Sequence, residues 1–314
     1  MQEQKVIELS IVIPVFNSAE ILPTLISQLE LVLTNDDISG FEVVLIDDAS
    51  VDNSWEVIEY LSATKDYIKG LNLRRNIRHH NAIIAGLNHT IGKVIVLMDD
   101  DLQHSPSDVP KLFSKVVMGY DVCFANFKIM RHVWWKRLGS YFNDLVANFL
   151  IKKPKNVHFS SFKAFSSDIK DEVIKFSGPF AYLDAIIFLT TSNIICVEVE
   201  HHDRYKGHGN YTFRKAVSLW LKMATGFSLV PLRLASILGF VTAMLGFVFA
   251  VIVIILKLSG NMEIPIGWTS LAIIVLVLGG IQLIAIGVIG EYLGRAYISL
   301  NNVPVYSIKK KINL

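Results

Sequence analysis

Two apolar runs divide this chain between two solvents. Leu232 to Ile255 is 24 residues long with a single charge, Arg233, near its start, and Trp268 to Ile289 carries no formal charge. About 20 consecutive apolar residues suffice to cross the hydrocarbon core of a bilayer. A helix on the surface of a water-soluble core shows an apolar stripe rather than an unbroken run. The pair therefore predicts a transmembrane hairpin, with helices over 232–256 and 268–290 and a Gly-, Asn- and Pro-containing connector from Lys257 to Gly267. The same runs explain how a 314-residue chain reaches 52% hydrophobic residues and a mean hydropathy of +0.44. Residues before about 230 read as an ordinary globular sequence.

Charge sets the orientation of such a hairpin, because Lys and Arg accumulate on the cytoplasmic side. Arg214, Lys215, Lys222 and Arg233 precede the first run, Arg295, Lys309, Lys310 and Lys311 follow the second, and the connector has only Lys257 and Glu263. Both termini and the globular part are expected to be cytoplasmic, with 291–314 as a cytoplasmic tail. The segment 211–231 mixes Phe213, Trp220 and Phe227 with Arg214, Lys215 and Lys222. That pattern suits an amphipathic helix lying in the membrane interface, or a plain linking helix. The N-terminus leads into a strand-like segment rather than a signal-peptide core. Cys123 and Cys196 are far apart and in no metal-ligand spacing, as expected of reduced thiols. A net charge of +2 is too small to imply nucleic-acid binding.

Before the apolar runs, strands and helices alternate. Leu9–Asn17, Phe41–Ile46, Ile68–Leu73 and Lys93–Met98 read as buried strands, with helical periodicity over Glu20–Leu33, Asp52–Leu61 and His80–Thr90. Tyr120–Ala125 and Ile194–Val199 read as later strands. Alternation of this kind implies a mostly parallel sheet covered by helices on both faces.

The run Val94-Ile95-Val96-Leu97-Met98 drives straight into Asp99-Asp100-Asp101-Leu102-Gln103. Ligands of open α/β sheets gather at the carboxyl ends of the strands. Three adjacent carboxylates repel one another unless a cation neutralises them, and hard divalent cations take one or two carboxylates plus substrate phosphates. Asp99 and Asp101, as alternate residues, can both face such a cation, with Asp100 as their neighbour. Asp47-Asp48 ends the second strand, where a carboxylate can accept hydrogen bonds from a base N–H or ribose hydroxyls. Arg74, Arg75 and Arg78, then Lys128, Arg131, Lys136 and Arg137, supply cations suited to phosphate oxygens. His79, His80, His201, His202 and His208 show no zinc-ligand spacing and read as ordinary polar histidines.

These residues carry a resemblance. Ile13-Pro14-Val15-Phe16-Asn17, Ile46-Asp47-Asp48-Ala49-Ser50 with Asp52, Leu73-Arg74-Arg75-Asn76 with Ala82 and Gly86, and Asp99 to Pro106 occur in one order. His202-Asp203-Arg204-Tyr205-Lys206-Gly207, Tyr211, Pro231-Leu232-Arg233 and Gly290-Glu291-Tyr292-Leu293-Gly294-Arg295 follow. In that order they resemble family 2 glycosyltransferases of the polyprenyl-phosphate sugar transferase type, such as dolichyl-phosphate mannose synthase and bacterial undecaprenyl-phosphate glycosyltransferases. The resemblance implies a GT-A, Rossmann-like nucleotide-sugar domain over 1–210, a nucleotide-diphospho-sugar donor of the UDP-sugar type, and a polyprenyl (undecaprenyl) phosphate acceptor. It places Pro14, Asn17, Asp47, Asp48, Arg75 and Arg78 around the nucleotide sugar. Asp99 and Asp101 resemble the family's metal-binding DxD motif for Mg²⁺ or Mn²⁺, with Gln103 beside the sugar or acceptor. Lys128, Arg131, Arg137 and Arg204 fall near the acceptor phosphate. The implied reaction is an inverting single displacement at the cytoplasmic face of the inner membrane, and a homo-oligomer is compatible with it.

The chain departs from the family in places. Many relatives carry a Gly-Asp pair and a nearby Arg before the strand at 162–165; here the segment is Asn156 to Ser161, with Lys163 in the basic position. The usual Gly after the Arg-Asn pair is Arg78, and the usual Lys before Tyr211 is Asn210. These changes bear on donor identity. They also leave open a nucleotide-sugar-binding scaffold without catalysis, or a different lipid acceptor. A processive polysaccharide synthase is disfavoured, because QxxRW and further spans are missing.

Overall fold

The computed structural model describes residues 7–36, 38, 40–127, 160–175, 183–199, 230–259, 267–300 and 304–314. The predicted alternation is present as β1 (Leu9–Val15), α1 (Leu22–Asn35), β2 (Phe41–Asp47), α2 (Ser54–Thr64), β3 (Ile68–Leu73), α3 (His79–Leu87) and β4 (Val94–Leu97). α4 (Val109–Val117), β5 (Val122–Phe127), β6 (Lys163–Ser166), α5 (Ser167–Ile174), α6 (Leu183–Thr190) and β7 (Ile194–Val199) follow. Two long helices, α7 (Val230–Leu258) and α8 (Trp268–Leu300), precede a last strand, β8 (Ile308–Ile312).

All eight strands form one sheet in the order β7-β5-β6-β4-β1-β2-β3-β8. β1 pairs in parallel with both β2 and β4, and β2 with β3, so the carboxyl ends of four neighbouring strands face one way. β6 runs antiparallel between β4 and β5, and β8 antiparallel along the outer side of β3. Every residue of β1 is buried, as a central parallel strand covered on both faces requires. Pro14 is tolerated there because the β4 pairing has already ended at Val12↔Leu97.

The helices cover the sheet through apolar stripes. α1 carries Pro23 in its first turn, where the missing N–H costs nothing, and buries Leu22, Leu25, Ile26, Leu29 and Leu33 at helical spacing. α3 lies so close to the sheet that a Cβ on Gly86 would come within 2.8 Å of Val12 Cγ1 and 2.6 Å of Ile46 Cδ1. Only glycine permits that approach, which fixes the last turn of α3 against β1 and β2. α5 is capped by Ser166, whose Oγ accepts from Ile169 N at 3.4 Å.

The chain divides into two compact units, one of residues 1–211 with 302–314, the other of 212–301. Within the second unit α7 and α8 touch, and their side chains are largely exposed, including Phe240, Met244, Phe247, Leu271, Leu283 and Ile284. Val277–Ile298 is long and apolar enough to cross a membrane, and Ala235–Val248 is a shorter apolar stretch. The segment 212–229 lies outside the described residues.

The stretch 291–314, read above as a tail, differs in the structure. α8 continues to Leu300, and β8 then returns to the sheet of the first unit. Arg74 N donates to Ser307 O (2.9 Å), and Asn313 Nδ2 donates to the carbonyls of Ser62 and Ile68, both at 2.9 Å. Lys310 pairs with Glu59 at 2.9 Å and lies over the Trp55 ring. Without β8 the backbone groups of β3 form an open edge, a template for pairing with other chains. Deleting residues 304–314 is therefore expected to lower the melting temperature and raise self-association in light scattering; an unchanged, monodisperse protein would contradict this role.

Candidate active site

Four loops leave the carboxyl ends of β1 to β4, and each holds a non-glycine residue at positive φ. Asn17 (φ 57°), Ala49 (56°), Arg78 (72°) and Leu102 (57°) follow the four strands in turn, with Asn313 the one other case among the described residues. Such conformations cost of order 1–3 kcal/mol each and persist where the surroundings pin them, typically at ligand-binding loops.

The pins are visible. Asn17 N donates to Ser50 Oγ (3.0 Å), and Val51 N donates back to Asn17 Oδ1 (2.9 Å). Ser18 N donates to Ser54 Oγ at 2.9 Å, and Ala19 N to Asp52 Oδ2 at 3.1 Å. Burial would raise the Asp52 carboxyl, but hydrogen bonds from Ser54 and Ala19 prevail and hold it below its ordinary value.

Asp47 and Asp48 are buried at the end of β2. Asp47 spends both oxygens on the protein, accepting from Ser50 N (3.1 Å) and Asn72 Nδ2 (2.7 Å). Asp48 accepts from Ile77 N at 2.8 Å, in the loop that begins α3. Burial pushes both carboxyls above the ordinary value, against those hydrogen bonds. Asp47 thus braces the β2 and β3 ends, and Asp48 ties the β2 end to the loop that begins α3. Pro14 is buried behind them, whereas Asn17, Arg75 and Arg78 are exposed in the surrounding loops.

In the acidic loop after β4, Asp99 keeps a quarter of its side chain exposed. Ser161 Oγ donates to its Oδ2 at 2.6 Å, His79 Nε2 lies 3.5 Å from Oδ1, and His104 Nδ1 lies 4.0 Å from Oδ2. His104 is buried and stacks on Phe162 with ring centroids 5.1 Å apart. Asp101 Oδ1 accepts from Gln103 N (3.1 Å), which ties the last acid to the glutamine. Asp100 turns the other way, accepting from Phe16 N (3.1 Å) and Ser18 Oγ (2.5 Å). His80 is half-buried on α3, and desolvation drives its pKa down to about 3.

The donor set fits a hard divalent cation that takes its remaining ligands from a substrate. Carboxylate oxygens of Asp99 and Asp101 are the right chemistry for Mg²⁺ or Mn²⁺. Among the described residues no group of three or more His, Cys, Asp or Glu side chains forms a closed metal cage. Such an open pair suits a metal that binds together with phosphate oxygens.

Lys163 does not face this site as a spare cation. It is buried in an ion pair with Asp184 of α6 and sits 5.2 Å from the Phe124 ring centroid. Ser161, the last residue of the altered segment, donates its hydroxyl to Asp99. Lys128, Arg131, Lys136, Arg137, Arg204, His201, His202, His208 and the 156–159 part of the altered segment lie outside the described residues. Sequence reasoning missed Ser18, Ser50, Asn72 and Asp184 as partners of the acids and of Lys163. Ser and Asn beside Asp in turn-like segments are a general signal of side-chain-to-backbone pinning, but their partners are set by the fold.

A mostly parallel sheet with acid-bearing loops at its carboxyl edge is the architecture of a nucleotide-binding α/β protein. Residues 10–173 match the family Glycosyl transferase family 2, and the chain belongs to that family. Over 320 aligned residues the chain is 29% identical to undecaprenyl-phosphate 4-deoxy-4-formamido-L-arabinose transferase of Proteus mirabilis (strain HI4320), covering 99% of this chain and 96% of that protein. The fold resembles glucosyl-3-phosphoglycerate synthase of Mycobacterium tuberculosis in complex with uridine diphosphate, with a TM-score of 0.52 and 17% identity over 69% of this chain and 78% of that one. The complex of that enzyme with Mn²⁺, uridine diphosphate and glucosyl-3-phosphoglycerate gives a TM-score of 0.51 at 17% identity, covering 69% and 77%. The sheet is accordingly of the GT-A, Rossmann-like type, and the protein is a glycosyltransferase.

The Lys163–Asp184 pair anchors β6 beside the acidic loop. Removing one partner of a buried pair leaves the other charge uncompensated, at about 3–5 kcal/mol. Lys163→Met should lower stability by that order in thermal unfolding, and adding Asp184→Leu should recover most of it; a single variant as stable as the parent would contradict the buried pairing.

Proposed function

We propose that the protein transfers a sugar from a nucleotide-diphospho-sugar, of the UDP-sugar type, to a polyprenyl phosphate such as undecaprenyl phosphate at the cytoplasmic face of the membrane. The observation that carries the reading is the grouping of Asp48, Asp99 and Asp101 on neighbouring loops at one edge of the sheet. The Proteus mirabilis transferase, whose name specifies undecaprenyl phosphate, matches over nearly the whole of both chains, which supports the acceptor class.

In this reading Asp48 receives a hydrogen bond from the nucleoside, with Pro14, Asn17, Arg75 and Arg78 bordering the donor. Asp99 and Asp101 hold a divalent cation, which offsets negative charge developing on the departing nucleoside diphosphate. Gln103 lies beside the sugar or acceptor, and Lys128, Arg131, Arg137 and Arg204 position the acceptor phosphate. A lipid phosphate is already an anionic nucleophile near neutral pH, so it needs positioning more than deprotonation. The altered 156–161 segment, which lacks the Gly-Asp pair of many relatives, is consistent with that. Attack opposite the leaving group inverts the anomeric centre: the new anomeric carbon–oxygen bond forms as the bond to the diphosphate breaks.

The membrane topology proposed is two spans with both termini cytoplasmic, and an interfacial helix over 211–231. Chain connectivity supports it. Residues 212–301 leave the first unit and return to it, because β8 belongs to the same sheet as β1. A segment that starts and ends on one side of a membrane crosses it an even number of times.

Membranes containing the protein, given a panel of nucleotide sugars with undecaprenyl phosphate and Mn²⁺, should form a lipid-phosphate-linked sugar with one of them. Asp101→Ala should reduce turnover by about 100-fold or more, the order seen when a transition-state charge stabiliser is lost. Full turnover in that variant with metal present would remove the proposed site.

A further inference from the structure

The middle acid of the 99–101 run has a task of its own. Asp100 Oδ2 accepts two hydrogen bonds from the loop after β1, from Phe16 N at 3.1 Å and from Ser18 Oγ at 2.5 Å. Between those donors sits Asn17 at φ 57°, whose N–H and side-chain oxygen are tied to Ser50 and Val51 of the loop after β2. Ser18 N reaches further along the same loop, to Ser54 Oγ. One oxygen on the β4 loop thus grips both ends of a strained three-residue segment, and that segment is stitched to the loop bearing Asp48.

We propose that Asp100 is a positioning residue for the donor, coupling the nucleoside side of the site to the diphosphate side through the Phe16–Ser18 loop. A carboxylate suits the task because hydrogen bonds to a charged acceptor are roughly twice as strong as neutral ones. Its single-carbon stem matters too, since it sets how far the oxygen reaches from the β4 loop. The adjoining acids, Asp99 and Asp101, engage Ser161 and Gln103 instead, so Asp100 is the one of the three that holds the Phe16–Ser18 loop. The inference rests on the donor-site reading given above.

The test uses the full-length protein in detergent or nanodiscs, with uridine and guanosine diphosphates as calorimetric probes and transfer kinetics alongside. Asp100→Ala leaves two donors without their acceptor. It should weaken binding of the preferred nucleoside diphosphate and raise the donor KM by about ten- to a hundred-fold, with the KM for lipid phosphate unchanged. Asp100→Asn, which keeps an acceptor oxygen, should restore most of the affinity. Ser18→Ala, which removes one donor and leaves the acids intact, should shift the donor KM the same way by less, and it carries the test if Asp100→Ala does not fold. Hydrogen exchange at the Phe16 amide should accelerate in both Asp100 variants, more in Asp100→Ala. Unchanged donor affinity in a folded Asp100→Ala protein, or an equal rise in both KM values, would overturn the inference while leaving the donor site in place. A parent protein that binds neither diphosphate would overturn the donor-site reading and this inference with it.

Discussion

Burying a carboxylate without a partner is among the most expensive acts a fold can perform, and this sheet buries carboxylates at both ends with partners supplied in different ways. At the amino end of β2, Glu42 is 2% exposed: Ser10 Oγ donates to its Oε1 at 2.5 Å and Ile91 N at 2.8 Å, and Lys69 forms an ion pair with its Oε2 at 2.6 Å. At the carboxyl end, Asp47 and Asp100 are served by backbone, hydroxyl and amide donors. Asp99 has a hydroxyl and two histidines nearby, and no Lys or Arg pairs with it among the described residues. Two like charges about 4 Å apart repel by roughly 4 kcal/mol at an effective dielectric near 20. In the proposed reading, a cation and the phosphates it carries would relieve that repulsion at the acid-rich edge.

The rest of the structure follows from keeping that edge rigid. Parallel strands bring four loops to one side, α3 is pressed onto β1 and β2 at Gly86, and the strained residues Asn17, Ala49, Arg78 and Leu102 are held by the hydrogen bonds they make or adjoin. The chain leaves the sheet as the long apolar helices α7 and α8, which in the proposed topology would meet the membrane, and returns as β8. A lipid-linked acceptor and a water-soluble donor are a chemical reason for one chain to serve both environments.

Much of this was legible from residue order because continuous apolar runs mark buried parallel strands. β3 and β7 fall on their expected bounds, and β1, β2 and β4 within two residues. Helix ends moved more: α3 closes at Leu87 rather than Thr90, since hydrogen bonds from Asn88 and Thr90 to carbonyls of its last turns end it. β8 escaped because Ile308-Lys309-Lys310-Lys311-Ile312 reads as a solvated basic tail, and its lysines are a known device of edge strands. Partnerships across sequence were invisible for a different reason. Asp100 meets Ser18 across 82 residues and Lys163 meets Asp184 across 21, distances that only the assembled sheet closes. The split of Asp99 and Asp101 from Asp100 was readable, and the partners that hold Asp100 were not.

The central claim is that Asp99 and Asp101 bind a divalent cation jointly with a nucleoside diphosphate. Titration of Mn²⁺ into the full-length protein, followed by the electron paramagnetic resonance signal of free Mn²⁺, tests it directly. With uridine or guanosine diphosphate present, the signal should be depleted beyond the nucleotide-only control by about one ion per chain, and Asp99→Ala or Asp101→Ala should abolish that depletion. Depletion that ignores the nucleotide, or that survives both substitutions, would contradict the account.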